Sequence, residues 1–201
     1  MNTINTPKPR RVMMWATLGI LTVAAAAEIV TAQTKGTPAA PSSAQVERGK
    51  YLVTGMGCND CHTPWEMTPQ GPQPNMKLML SGHPETLKMP SAPAPSGPWL
   101  WQGSGTMTAF AGPWGVSYAA NITPDQATGL GSWTADTFIK AMRNGKHAGT
   151  GAALLPPMPW IWYKILTDDD LAAMFAYLQS VPPIKNRGPA NEVAPPPSGM
   201  K

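Results

Sequence analysis

The chain has 201 residues, 24 of them Pro and 19 Gly, with only 13% charged, which predicts one modest core amid much irregular backbone and excludes two large domains. The formal charge is +4, but Lys8, Arg10 and Arg11 cluster ahead of an apolar stretch. Without residues 1–32, the 15 basic residues lose three and the 11 acidic residues lose one, leaving +2 and no basic patch with interleaved aromatics for nucleic acid.

The amino terminus reads as an export signal: a basic start, an apolar run from Val12 to Ala27, and small residues up to Ala32, after which a cut is expected. The run alone is shorter than the roughly 20 residues of a membrane span. Ile29 and Val30 could extend it, so a membrane tether through residues 12–32 is the alternative. Both readings place the bulk of the chain in the periplasm. There two cysteines three residues apart would be expected to pair unless something else claims them. Residues 33–43 form a polar linker, and residues 44–186 the folded domain.

Ala44 to Met56 places Val46, Gly49, Val53 and Met56 at helical spacing, and Gly55 and Gly57 end the pattern just before Cys58. Residues 63–118 hold Trp65, Trp99, Trp101, Trp114 and many Pro and Gly without a sustained period. They predict a long irregular insertion that wraps a flat apolar cofactor. The alternative is a mobile insertion, since Pro90 to Pro98 reads as plain linker. Thr134 predicts a cap for a helix over Ala135 to Arg143, closed by Asn144-Gly145, with Phe138, Ile139 and Met142 on one face. Asp168, Asp169 and Asp170 open a third helix after Thr167. Leu171, Met174, Phe175 and Leu178 form its buried stripe, and Pro182-Pro183 stops it. Residues 187–201 read as a Pro-rich tail.

The chemistry is concentrated in Cys58-Asn59-Asp60-Cys61-His62. Two thiols at this spacing can add to the two vinyl groups of haem, and the adjacent imidazole can then ligate the iron. A thioredoxin-type dithiol would need a preceding strand and a βαβ setting, whereas here a helix ends in glycines. A zinc site would need two further ligands, and His83 and His147 stand singly. For the second axial position, Met158 lies in Leu-Leu-Pro-Pro-Met-Pro-Trp, where three prolines restrict the backbone around the thioether. His83 and His147 are its rivals.

The stretches Asn121-Ile-Thr-Pro-Asp125, Thr128 to Thr134, Met158-Pro-Trp160, Leu166-Thr-Asp168 and Tyr177-Leu178 resemble class I cytochrome c modules of membrane-associated bacterial alcohol, aldehyde and sugar-acid dehydrogenases. The resemblance spans most of Ala44 to Asn186. It implies a mainly α fold, with three core helices around one covalent haem c. It also implies haem attachment at Cys58 and Cys61, axial ligation by His62 and Met158, and close packing of the first and last helices at Gly49 and Tyr177. Two features depart from the family: many relatives carry two or three haem motifs, and residues 63–109 are unusually long and rich in Met and Pro.

The expected function is electron transfer from a dehydrogenase donor to a respiratory-chain acceptor, without a catalytic residue of its own. Trp160 and Trp162 are either part of the docking face or ordinary core. The alternatives are a haem enzyme acting on peroxide or small sulfur compounds, and a haem sensor in which a ligand displaces Met158.

Overall fold

The computed structural model describes residues 40–92 and 97–195. The expected export signal, residues 33–39 of the linker, part of Pro90 to Pro98 and the end of the tail lie outside the described residues.

Five helices are present among the described residues: α1 (Ser43–Gly55), α2 (Cys58–His62), α3 (Ala135–Asn144), α4 (Trp160–Tyr163) and α5 (Asp168–Ser180). Their starts follow from local chemistry. The side-chain oxygens of Ser42, Thr134 and Thr167 accept hydrogen bonds from the backbone N–H groups of Gln45, Thr137 and Asp170, satisfying donors that a helix start leaves free. The three aspartates sit in the first turn of α5, where they complement the positive end of the helix dipole. Gly145 ends α3 in a left-handed conformation, and its N–H donates to the Ala141 carbonyl.

The core lies where α1 and α3 pack on α5. Leu52 and Val53 from α1 meet Phe138, Ala141 and Met142 from α3 and Leu171, Met174, Phe175 and Leu178 from α5. Each of these side chains except the small Ala141 contributes about 1.5–3 kcal/mol on removal from water. The α5 stripe matches the sequence pattern, whereas α1 buries Leu52 as well as Gly49 and Val53. Gly49 marks the closest approach: a Cβ there would stand 1.9 Å from the Ala173 carbonyl oxygen and 2.8 Å from Tyr177 Cβ. Any side chain would push α1 off α5.

Residues 63–118 depart from the expectation of an irregular loop. They carry a hairpin of β1 (Trp65–Thr68) and β2 (Gly71–Pro74), followed by β3 (Gln102–Gly103), β4 (Ala109–Gly112) and β5 (Gly115–Tyr118). The strands are two to four residues long and hold Gly and Pro, so no alternation could announce them. The region expected to be tail departs too: β6 (Glu192–Val193) adds to an antiparallel sheet of order β3-β4-β5-β6. No helix among the described residues is long and apolar enough to cross a membrane.

Candidate functional site

Gly57 turns the chain from α1 into α2 with φ at +71°, a conformation that side-chained residues rarely adopt. A Cβ there would also meet the Asp60 carboxylate at 2.8 Å. The single helical turn that follows sets Cys58 and Cys61 at i and i+3, side by side on one face. Its end is pinned from two directions. The Gly82 N–H donates to the His62 carbonyl (2.7 Å), while Thr63 Oγ1 donates to Asn59 Oδ1 (2.9 Å) and accepts from the buried Leu80 N–H (2.9 Å).

His62 Nδ1–H donates to the Ala120 carbonyl at 2.7 Å. That bond selects the tautomer in which Nε2 keeps its lone pair for a metal. Burial holds the imidazole pKa below its ordinary value, partly offset by the Ala120 carbonyl, so the ring is neutral at pH 7. Burial likewise pushes the Cys58 thiol up to about 12 and raises Cys61, with Asp60 adding to both. Neither cysteine is in a disulfide. A dithiol oxidoreductase needs the opposite direction, a thiolate stabilised near neutral pH. Among the described residues no three or more His, Cys, Asp or Glu gather as a metal cluster, so the zinc alternative lacks its further ligands.

Beside α2 lies a cavity of about 630 Å³, within the usual range for a cofactor site. Cys58, Cys61 and His62 line it together with apolar side chains of three other regions: Ile122 and Leu130 from the loop before α3, Phe138 and Met142 from α3, and Met174 and Leu178 from α5. Met158 lines the same cavity, 96 residues after His62 in the chain. Its loop is held by a turn in which the Met158 N–H donates to the Leu155 carbonyl (3.2 Å), and by Ser117 Oγ on β5, which donates to the Pro156 carbonyl (2.6 Å). The structure therefore brings all four expected site residues to one cavity.

The two rival histidines separate. His83 is fully buried away from the cavity: its Nε2–H donates to the Leu87 carbonyl (3.1 Å), and Nδ1 accepts from Thr108 Oγ1 (2.9 Å). With both ring nitrogens engaged, it has none to offer a metal. His147 does line the cavity, as an exposed residue whose ring meets Trp133 edge-on at 5.1 Å.

The alternatives for the two tryptophans also divide. Trp160 packs its ring against Gly145, whereas Trp162 is 65% exposed with Ile161 and Ile165 beside it.

Sequence reasoning missed the wall made by Asn186 to Asn191. Asn186 is buried: its Nδ2 donates to the Ser81 carbonyl (2.6 Å) and the His83 carbonyl (2.9 Å), and its Oδ1 accepts from the Glu85 N–H (2.9 Å). Asn121 secures the same region, donating to the Ile184 carbonyl (2.7 Å) and to Thr128 Oγ1 (3.0 Å). Tyr163 also lines the cavity, a role the sequence did not indicate, and its hydroxyl donates to the Met56 carbonyl at 2.6 Å. Burial, with the neighbouring thiols and Asp60 adding, keeps that phenol protonated.

A sequence search finds similarity over 161 residues, 80% of this chain, to the fructose dehydrogenase cytochrome subunit of Gluconobacter japonicus, at 31% identity. The gluconate 2-dehydrogenase cytochrome c subunit of Pantoea cypripedii is 31% identical over 71% of the chain. The chain is homologous to dehydrogenase cytochrome c subunits. A nicotinate dehydrogenase subunit from Pseudomonas putida is 40% identical over 40% of the chain. The matched parts cover 26%, 25% and 7% of the fructose, gluconate and nicotinate dehydrogenase subunits, so the chain spans about a quarter of their length or less. No family profile matches it.

The residues at the cavity fit the haem that a cytochrome c subunit carries. Two thiols stand on one helical turn, a neutral imidazole keeps Nε2 free, a thioether sits in a tethered loop, and the walls between them are largely apolar.

Proposed function

We propose that the chain is an exported electron carrier, or the cytochrome subunit of a dehydrogenase complex, holding one covalent haem c in a class I cytochrome fold. The observation that carries this reading is that Met158, 96 residues after His62, lines one largely apolar cavity with Cys58, Cys61 and His62. Cys58 and Cys61 would form the thioether links, and His62 and Met158 would be the residues that hold the iron. Bound haem supplies a one-electron centre that cycles between ferric and ferrous iron.

The protein's own residues do the rest. The Ala120 carbonyl fixes the His62 ring, and Ser117 holds the Met158 loop, so both donors would be already positioned to hold the group. Preorganisation of this kind limits the rearrangement that accompanies each change of iron charge. Phe138, Met142 and Leu178 keep water from the cavity floor, which favours the less charged ferrous state. A thioether ligand such as Met158 would shift the reduction potential in the same direction.

The donor is a periplasmic dehydrogenase, and the acceptor a component of the respiratory chain. Exposed Ile161, Trp162 and Ile165, following directly on Met158, provide the contact face for brief encounters with them. Residues 1–32 direct export and are either cleaved or retained as a tether.

The test is the mass and spectrum of the protein exported by a strain able to attach haem. One haem should be added through Cys58 and Cys61, and the reduced protein should not bind carbon monoxide readily at neutral pH. Ready binding would favour the enzyme or sensor reading. No added haem would sink the proposal.

A further inference from the structure

The segment after α5 is a structural part of the cavity. Asn186 anchors it to the carbonyls of Ser81 and His83, and Glu192–Val193 anchors its far end on β5. Between these anchors the chain passes along the cavity, and it carries Arg187 with it. Among the described residues, Arg187 is the one Lys or Arg that lines the cavity.

Its charge has no carboxylate partner among the described residues. Three ion pairs are present there, Arg48 with Asp170, Lys140 with Asp136 and Arg143 with Asp168, and none involves Arg187. Glu85 lies close but accepts from the Arg187 backbone N–H (3.0 Å), while the guanidinium donates to the Ala127 carbonyl. The remaining titratable groups at the cavity, besides the thiols and phenols, are Asp60, His62 and His147. The wall formed by the segment is therefore polar and cationic, opposite a largely apolar interior.

A haem has the matching asymmetry: an apolar macrocycle with two carboxylates on one edge. We infer that residues 186–191 are the strap against which that carboxylate edge rests, and that Arg187 is the cation facing it. This deepens the haem reading and rests on it. An Arg suits the task, because its planar fork pairs with carboxylates in two parallel hydrogen bonds and stays charged at every physiological pH. Holding the carboxylates ionised while compensating their charge steadies the potential against changes of pH, and the cation itself favours the ferrous state.

Arg187→Gln and Arg187→Lys test this in the haem-loaded protein, by redox titration between pH 5 and pH 9. At a fixed applied potential, the ferrous-to-ferric ratio of R187Q should fall by about threefold to tenfold. It should also acquire a pH dependence near neutrality, as the uncompensated carboxylates titrate there. R187K should stay close to the parent on both counts. A purely structural role through the Ala127 carbonyl would lower stability and leave ratio and pH profile unchanged, and that result overturns the assignment. A parent chain that gains no haem mass overturns the underlying reading and this one together; a haem-loaded R187Q indistinguishable from the parent overturns this one alone.

Discussion

Gly49 on α1 lies directly against Ala173 on α5, with no room between them for a methyl group: a Cβ added at Gly49 would sit 1.9 Å from the Ala173 oxygen. Because the obstacle is backbone, a rotamer change cannot relieve it. Gly49→Ala should lower stability by about 1–3 kcal/mol, the usual range for overpacking a closely fitted core. Urea unfolding of the two proteins gives the difference as a shift of the midpoint at constant slope.

In the haem-loaded protein, Met158→Ala should remove the Met-to-iron absorption band of the ferric form and lower the reduction potential. His147 shares the cavity, so His147→Ala is the paired control and should leave that band intact. A haem-loaded parent that lacks the band would transfer the axial role to His147.

Asn186→Ala should destabilise the fold by about 2–4 kcal/mol, because it strips partners from the Ser81 and His83 carbonyls and from the Glu85 N–H. Amide exchange should rise most in β5 and β6, whose pairing depends on where the strap begins.

Asp170 accepts a hydrogen bond from Arg48 Nε at 2.9 Å, and that contact holds its carboxyl below the ordinary carboxylate range. A depressed folded-state pKa contributes stability above the unfolded value of about 3.9. That contribution is lost as pH falls through the lower folded value. Asp170→Asn should therefore be less stable than the parent at neutral pH, and the gap should close on acidification below about pH 4. Thermal unfolding at a series of pH values reads the convergence.

The three longer helices, α1, α3 and α5, were legible because their signals are local, whereas the single turns α2 and α4 were not expected. Thr134, Gly145 and Thr167 each announce a helix boundary within a few residues of it, and Cys58, Cys61 and His62 carry their chemistry in five consecutive positions. Met158 could be singled out because its flanking prolines are unusual. The strap was illegible because Asn186 is held by groups about 100 residues away, at sequence separations of 101 to 105. Nothing in Ile-Lys-Asn-Arg-Gly-Pro distinguishes such a segment from a solvated tail. His83 was ambiguous for the same reason: its partner Thr108 lies 25 residues on, in a strand region too short and too rich in Gly to be recognised.

The crossing of α1 and α5 also has a consequence in time. Arg48 and Asp170, which meet across that crossing, are 122 residues apart in the chain. A polypeptide that emerges amino terminus first therefore presents Cys58 and Cys61 long before the helix that completes their surroundings exists. During that interval the thiols stand in water with their ordinary acidity, and burial on closure of the last helix weakens it. The two sulfurs are therefore more open to solvent and more acidic before the fold closes around them than afterwards.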